Sequence, residues 1–302
     1  MQPYYSNGKL LLTGEYVVLD GALALAVPTK FGQSLTVEPI SDKLIKWTSL
    51  DYNKTIWYKN TFSFDKGEFN SENNNQTSLM LLKVFEAIKK LKPTFFNTNK
   101  GFNITTELNF PQNWGLGSSS TLINNIANWV NVDAYKLLNL TFGGSGYDIA
   151  CASHNSPITY LKKQSERFIK EVNFNPNFSD QLFFVHLNQK QNSREGIEHY
   201  NLNKGNIAKE IKEISSITLK MIISTTLDEF EKLIQKHELI ISKITKQETV
   251  KSRLFDDYTF GSIKSLGAWG GDFVLVTGTK ENMRYFESKG YKTILAFKNM
   301  VL

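Results

Sequence analysis

Residues 111–121 read Pro-Gln-Asn-Trp-Gly-Leu-Gly-Ser-Ser-Ser-Thr and join a predicted strand to a predicted helix. Apolar and polar side chains alternate over residues 101–110, which is typical of a strand with one buried face. After the serines, Leu122, Ile126 and Val130 recur four residues apart, as on the buried face of a helix. Glycines let a backbone approach a ligand closely, and the first turn of a helix offers unpaired N–H groups to anions. The stretch therefore predicts a phosphate-binding loop, with simple helix capping by the serines as the alternative.

Two better-known phosphate loops are absent from the sequence. The P-loop requires Gly-x4-Gly-Lys-Ser/Thr, and no such string occurs. The dinucleotide fingerprint requires a third glycine three residues after the second, where this chain has Ser120. A phosphate site at residues 115–121 would therefore be of another type.

Two charged residues are further candidates for chemistry. A second glycine cluster, Gly-Gly-Ser-Gly at 143–146, precedes Tyr147 and Asp148. A carboxylate at such a turn can act as a base or bind a metal ion, or it can cap a helix. Lys9 can reach a phosphate or pair with an acid, and its alternative is a solvated surface lysine. Neither residue assigns a function by itself.

The composition predicts a folded protein without a membrane span. Of the 302 residues 41% are hydrophobic and 21% charged, which excludes a disordered chain. No apolar run approaches the roughly 20 residues of a membrane-spanning helix, and the N-terminus lacks a signal-peptide pattern. The single cysteine cannot form an internal disulfide, and four histidines argue against a multi-ligand metal site. We expect a cytoplasmic protein.

The charge does not indicate a nucleic-acid partner. The formal net charge is +6, but the basic residues are scattered and no aromatic-plus-basic recognition motif occurs. A modest basic excess suits an anionic small molecule equally well. We expect neither nucleic acid nor membrane as a partner.

The first half of the chain predicts strands, then a helix, then the glycine-serine loop. Residues 9–13, 16–19, 22–27 and 33–38 are the first predicted strands, with a hairpin turn at Asp20-Gly21. The polar stretch 50–76 predicts two short strands and a loop. Helical spacing of apolar residues predicts a helix from Ser78 to Leu91.

The second half predicts the order β-α-β-β-α-β, which is the ferredoxin-like pattern. The predicted strands are 182–187, 262–266, 273–277 and 292–297, with two or three helices in 207–244 and one over 281–288. We place the domain boundary between Leu161 and Asn175, giving domains 1–165 and 166–302.

Three segments resemble, in order and spacing, the motifs of the GHMP kinases, which include galactokinase, homoserine kinase, mevalonate kinase and phosphomevalonate kinase. Residues 6–16 resemble the first motif, Ala-Pro-Gly-Lys followed by Gly-Glu. Residues 111–121 resemble the second motif, Pro-x3-Gly-Leu-Gly-Ser-Ser, and residues 264–272 the third, a glycine-rich turn. Residues 144–150 resemble the Gly-Ser-Gly-aromatic-Asp-x-Ala segment of the mevalonate and phosphomevalonate kinases, and they contain the Gly-Tyr-Asp-Ile-Ala string of one GHMP subgroup.

The resemblance implies an α+β, two-domain GHMP kinase fold. Its N-terminal, ATP-binding domain would be like ribosomal protein S5 domain 2, and its C-terminal domain ferredoxin-like. Asp148 would face the acceptor as catalytic acid or base, with Lys9 close to it. The residues expected at the ATP phosphates are Gly115, Leu116, Gly117, Ser118, Ser119, Ser120 and Thr121, with Ser119 also near Mg²⁺. Those expected on the substrate side are Glu15, Ser145, Lys190, Arg194, Gly267, Ala268 and Gly270; for Lys190 and Arg194 the alternative is a polar surface loop.

Four departures from the family's pattern leave room for an altered substrate or an inactive relative. Ser6-Asn7 replaces Ala-Pro in the first motif, and Leu266 replaces a Thr or Ser in the third. Trp269 stands at a glycine of the third motif. Leu137 stands where mevalonate kinases carry a metal-binding Glu.

The predicted function is an ATP-dependent kinase that phosphorylates a hydroxyl or phosphate of a small, anionic acceptor of the mevalonate or phosphomevalonate type. One alternative is an enzyme like diphosphomevalonate decarboxylase, and another is a non-catalytic, nucleotide-binding relative. The expected cofactors are ATP and Mg²⁺, and the expected state is a monomer or a homodimer.

Overall fold

The computed structural model describes residues 2–65, 67–97, 100–189, 193–269 and 271–302. The strands are β1 (Gln2–Leu11), β2 (Ala24–Ile40), β3 (Leu44–Leu50), β4 (Ile56–Asp65), β5 (Glu68–Ser71), β6 (Gly101–Leu108), β7 (Ile158–Lys163), β8 (Glu166–Glu171), β9 (Leu182–His186), β10 (Ile263–Ser265), β11 (Phe273–Thr277) and β12 (Ile294–Ala296). The α-helices are α1 (Gln76–Leu91), α2 (Ser118–Val130), α3 (Ala134–Thr141), α4 (Tyr147–Ala152), α5 (Ser193–Asn203), α6 (Ala208–Ile223), α7 (Leu227–Thr245), α8 (Val250–Leu254), α9 (Arg284–Ser288) and α10 (Phe297–Met300). The predicted α+β class is confirmed.

The chain forms two compact units, each built from several segments. The first unit contains Met1–Gly8, Phe31–Gln112 and Leu116–Ser153. The second contains Lys9–Lys30, Asn113–Gly115 and His154–Leu302. This division differs from a single cut between residues 165 and 166, because β1 and β2 each contribute residues to both units. The domain boundary drawn from the sequence stays a prediction.

The first unit combines a sheet with helices. The strand order is β5-β4-β3-β6-β2, with β2 represented by its residues 31–40. β3 and β6 are parallel, whereas the other neighbours pair antiparallel. Parallel neighbours require a crossover connection, and α1 lies in that connection. The predicted helix at 78–91 is confirmed as Gln76–Leu91, with buried Leu81, Val84, Phe85 and Ile88 in the unit's core.

The second unit contains a four-stranded antiparallel sheet in the order β10-β11-β9-β12. In chain order these strands are the second, third, first and fourth, and helices connect the first to the second and the third to the fourth. The predicted ferredoxin-like pattern is confirmed. β9 and β11 are buried along their whole length. On one face Val185, Val274 and Val276 pack with residues of α8 and α9 in one core cluster, and α7 contacts β10.

Two predictions for the N-terminal region are wrong. The expected strand at 16–19 is a 3-10 helix, Val17–Asp20, which Gly21 ends at φ 92°. The apolar side chains of Val17 and Val18, which suggested a strand, are instead buried in this turn. The expected separate strands 22–27 and 33–38 are parts of the single 17-residue strand β2, which continues through Pro28.

Candidate active site

Helix α2 begins directly after the glycines of the second motif. Its N-cap is Gly117 in the left-handed region, at φ 87°, and within the described residues no side chain caps the helix. Ser118, Ser119 and Ser120 are its first three residues rather than its caps. Such a helix start offers backbone N–H groups and the positive end of the helix dipole to an anion. The serines are therefore not the helix caps, and phosphate binding at this loop stays a prediction.

Buried polar groups fix α2 against the sheet of the first unit. Thr121 Oγ1 donates to Gln33 Oε1 at 2.7 Å, and Asn125 Nδ2 donates to the Gln33 carbonyl at 2.8 Å. Ser6 Oγ donates to Asn125 Oδ1 at 2.8 Å. All four side chains are buried. The Thr121 hydroxyl is therefore used inside the fold, and the contact of this residue with ATP stays a prediction.

Asp148 lies in the first turn of α4, also in the first unit. The N-cap of α4 is Gly146 at φ 92°, so Asp148 is the second helical residue and not the cap. Its side chain is half-buried, whereas that of Ser145 is buried. An acid in the first turn is stabilised by the helix dipole. Asp148 is therefore not the helix cap, and its catalytic role and its pairing with Lys9 stay predictions.

In the second unit, Lys9 and Asp272 converge on Gly115. Lys9 Nζ donates to the Gly115 carbonyl at 3.1 Å. Gly115 has φ 65°, and a Cβ there would lie 2.1 Å from Asp272 Cγ. A side chain at position 115 would thus collide with the Asp272 carboxylate. The third motif therefore meets the second motif at this pair of residues.

The residues before Gly115 are attached to the sheet of the second unit. His186 Nε2 lies 3.1 Å from the Asn113 carbonyl. The rings of Trp114 and Phe273 meet edge to face at 5.5 Å. The Leu187 N–H donates to the Asp272 carbonyl at 2.8 Å. The C-terminal end of β9 and the start of β11 therefore contact both the segment before Gly115 and the residue Asp272.

The third-motif turn accommodates Trp269 in its interior. Trp269 has φ 50°, a conformation that costs about 1–3 kcal/mol for a residue with a side chain. It is 4% exposed, and its Nε1 has no hydrogen-bond partner among the residues that the structure describes. Gly267 has φ 60° and Ala268 is buried. Gly270 lies outside the described residues.

Glu15 is enclosed in the second unit instead of facing a surface. Glu15 Oε1 accepts from Lys264 Nζ at 2.5 Å, and both side chains are 0% exposed. Lys264 Nζ also lies 3.6 Å from Glu238 Oε1, and Ser265 Oγ donates to Glu238 Oε2 at 2.6 Å. A direct contact of Glu15 with substrate stays a prediction, and it would require this pair to open.

Burial shifts the protonation of the groups around Lys264. It raises the pKa of Glu238 to about 7, although the Lys264 charge acts in the opposite direction. It also raises the pKa of Glu15, again against Lys264. Burial and then Lys264 lower the pKa of His237, whose Nε2 accepts the Gly14 N–H at 3.0 Å. Burial therefore favours the neutral forms of His237, Glu15 and Glu238.

Another predicted substrate contact, Arg194, lies at the start of α5. Arg194 is the second residue of this helix and is exposed. Lys190 lies outside the described residues. In the parts of the chain that the structure describes, no group of three or more His, Cys, Asp or Glu side chains is arranged to hold a metal ion. Over the same residues, no helix is long and apolar enough to span a membrane.

Sequence reasoning missed the Glu15–Lys264–Glu238 cluster. The available signal was Lys264 itself, because a lysine between Ile263 and Leu266 in a predicted buried strand requires a partner. Glu15 is 249 positions away in the chain, and no local pattern identifies it.

The sequence matches no protein-family model and no curated protein. Solved structures nevertheless match nearly the whole chain. The Methanococcus jannaschii mevalonate kinase is 15% identical, with 97% of this chain and 96% of that chain covered and a TM-score of 0.67. The Streptococcus pneumoniae phosphomevalonate kinase in complex with phosphomevalonate and AMPPNP is 13% identical, with 98% and 99% covered and a TM-score of 0.69.

A sugar kinase is similar to the same extent. The Lactococcus lactis galactokinase complexed with galactose is 14% identical, with 97% of this chain and 92% of that chain covered and a TM-score of 0.63. The chain has the GHMP kinase fold, and the expectation drawn from its three motifs is confirmed at the level of the fold. Fold alone does not select a substrate.

Proposed function

We propose that this protein is an ATP-dependent kinase that transfers the γ-phosphoryl group to a hydroxyl or phosphate of a small, anionic acceptor. The observation that carries the proposal is the start of α2, where the glycine N-cap and three serines present an uncapped first turn. Together with the fold, this feature supports a nucleotide whose phosphates bind Gly115, Leu116, Gly117, Ser118, Ser119, Ser120 and Thr121.

Asp148 and Lys9 are the proposed catalytic residues. The acceptor oxygen attacks the γ-phosphorus, the bond from phosphorus to the β–γ bridging oxygen breaks, and ADP leaves. For a hydroxyl acceptor, Asp148 takes the proton. Lys9 neutralises charge that develops on the transferred group. Because the transition state of phosphoryl transfer is loose, the main task of both residues is positioning and charge stabilisation.

Ser119 fits a role at the Mg²⁺ ion that accompanies ATP. Mg²⁺ keeps several waters and is held by a few protein oxygens plus substrate phosphates. The exposed Ser119 hydroxyl at the start of α2 is an oxygen ligand of this kind. When bound, the ion supplies positive charge against the phosphate oxygens.

The acceptor is proposed to be anionic, of the mevalonate or phosphomevalonate type. Arg194 projects from the exposed first turn of α5, and a guanidinium binds carboxylate or phosphate in bidentate fashion. The net charge of +6 favours the approach of anions. The phosphomevalonate complex among the similar structures makes this acceptor the first to test.

The acceptor can be identified by incubating the protein with Mg-ATP and mevalonate, phosphomevalonate, diphosphomevalonate or galactose, and measuring ADP release together with product mass. We expect ADP to form with one acceptor that gains the mass of a phosphoryl group. Release of CO₂ would indicate the decarboxylase alternative. Binding of ATP without turnover on any acceptor of the panel would count against the kinase proposal.

A further inference from the structure

The second unit encloses an ionic cluster that the proposed chemistry does not use. Its members are Glu15 in the first motif, Lys264 in β10 and Glu238 in α7. The side chains of Glu15 and Lys264 are 0% exposed and that of Glu238 is 5% exposed. His237 Nε2 lies 3.2 Å from Glu15 Oε2, and Ser265 Oγ donates to Glu238 Oε2. Three segments far apart in the chain therefore meet at Lys264.

The cluster is poorly suited to a role in stability alone. Within the described residues, Glu15 Oε2, Glu238 Oε1 and His237 Nδ1 have no hydrogen-bond partner. Removing charges from water is costly, and apolar residues of similar volume often replace a buried ion pair without loss of stability. In some proteins a buried polar or ionic group is retained because it specifies how the segments around it are arranged. A role in positioning accounts for the charges better than a role in packing.

The two segments that Lys264 joins are those that meet again at Gly115. Glu15 follows β1, whose Lys9 donates to the Gly115 carbonyl. Lys264 belongs to β10, which leads into the third-motif turn and so to Asp272, packed against Gly115 Cα. The first-motif and third-motif segments are therefore joined to each other by Glu15 and Lys264, and both of them also contact Gly115.

We infer that Lys264 is a positioning residue: by binding Glu15 it sets the first-motif segment against the third-motif turn, so that Lys9 and Asp272 close on Gly115 at the start of the phosphate loop. The inference rests on the proposed function for its effect on ATP, but its structural part holds for the protein without ligand. A pair that served only packing would be replaceable by neutral residues without effect at Gly115.

The test compares the wild type with Lys264→Met and with the double variant Glu15→Gln/Lys264→Met, at pH 6, where Glu238 is mostly protonated. The control is Lys232→Met, which removes an exposed lysine of α7 that pairs with Asp228. Thermal melting reports the stability of each protein. Hydrogen exchange is followed at the amides of Leu187 and Trp269, which bond to Asp272 and Leu266 of the third-motif turn. Amides of α1, in the first unit, serve as the internal reference.

We expect Lys264→Met to melt lower, because it leaves Glu15 buried without its partner. The double variant should regain the melting temperature of the wild type to within a few degrees. Exchange at Leu187 and Trp269 should nevertheless stay about tenfold faster than in the wild type, with α1 unchanged. The dissociation constant for Mg-ATP should rise about tenfold in the same variant, and Lys232→Met should behave as the wild type.

Two results would overturn the inference. One is a double variant that regains both its melting temperature and the slow exchange at Leu187 and Trp269, because the pair would then be replaceable packing. The other is a general loss of stability, because the pair would then stabilise the whole fold. It would appear as equally faster exchange in α1 or as a double variant that is as unstable as Lys264→Met. If the wild type does not bind Mg-ATP, the proposed function fails, while the exchange measurement still decides the positioning role.

Discussion

The two units hold their parts of the candidate site by opposite means. In the first unit, α2 is fixed by neutral side chains, Ser6, Gln33, Thr121 and Asn125, whose hydrogen bonds connect to one another. In the second, the first and third motifs are joined by Glu15 and Lys264, with Glu238 beside them. The side chains of the neutral network do not titrate, whereas the interactions of the charged cluster depend on the protonation of its carboxyl groups. Only the second unit should therefore respond strongly to pH and to the loss of one side chain.

The largest effect is expected at the proposed catalytic carboxylate of the first unit, Asp148, which follows the glycine cluster 143–146. Replacing Asp148 with Asn should leave the fold and ATP binding intact and lower turnover by ~10²–10⁴, because a general base or charge-positioning group is lost. Steady-state kinetics with the identified acceptor measures this effect. Lys9→Met should cause a similar loss, and the double variant should lose less than the product of the two, because paired groups act as one unit.

The matched control for Asp148→Asn is Asp133→Asn. Asp133 caps α3 by accepting from the N–H groups of Tyr135 and Lys136, and Asn caps a helix about as well as Asp. This control should keep the turnover of the wild type. An Asp148→Asn enzyme as fast as the control would remove Asp148 from the mechanism.

The next largest effect is expected from the charged cluster. Lys264→Met should lower the free energy of unfolding by about 3–5 kcal/mol, because the change leaves a buried carboxylate without its cation. Urea titration at neutral pH measures the loss. A cost below that of an ordinary surface substitution, such as Lys232→Met, would show that the cluster is not held as the structure describes.

The pH dependence follows from the raised pKa of Glu238. A carboxyl whose pKa rises from an ordinary value to about 7 binds its proton more tightly when folded. The protonated Glu238 carboxyl stabilises the protein fully at pH values below the pKa that it has in the unfolded chain. This stabilisation is lost as the pH rises through 7. The wild type should lose roughly 3 kcal/mol relative to Glu238→Gln between about pH 4.5 and pH 7.5. The lowered pKa of His237 contributes with the opposite sign in both proteins, and so the difference between them isolates Glu238.

Urea titrations of both proteins over this pH range provide the measurement. A difference between them that stays constant with pH would mean that Glu238 does not titrate near neutrality. A wild type that gains stability relative to Glu238→Gln as the pH rises would mean that Lys264 holds Glu238 ionised, and the protonation assigned to the cluster would be wrong.

The smallest effect is expected in the neutral network. Thr121→Val removes the donor to Gln33 Oε1 and should cost about 1–3 kcal/mol. The loss should be the same at pH 5 and pH 8, because neither group titrates in this range. A strongly pH-dependent loss would erase the contrast between the two units.

The sequence predicted the elements whose signal is local. The strand–glycine–helix unit around Gly117, the helix α1 and the ferredoxin-like order each follow from periodicity and turn residues within about 15 positions. Residues 17–20 could not be assigned in this way, because buried valines in a 3-10 turn and in a strand look alike. Local patterns also divided β2 at Pro28, although the strand continues through it.

The candidate site was predictable only where one segment forms it. The start of α2 was expected from its glycines, whereas the helix α4 that carries Asp148 was not predicted. The Glu15–Lys264 pair and the contact of Asp272 with Gly115 join segments more than 100 positions apart, and only tertiary structure reveals them. A lysine in a buried strand shows that a partner exists but not which residue it is.

Binding of Mg-ATP at the start of α2 is the central claim, and the thermal stability of two glycine variants tests it most directly. Gly117→Val places a branched side chain at the N-cap of α2, where φ is 87°. Gly205→Val places the same side chain at another glycine of positive φ, 56°, where a Cβ meets open space. At a hundredfold excess over its dissociation constant, Mg-ATP should stabilise the wild type and Gly205→Val by ~2.7 kcal/mol and leave Gly117→Val unshifted. Absence of any shift in the wild type at millimolar Mg-ATP, or an equal shift in both variants, would contradict the account.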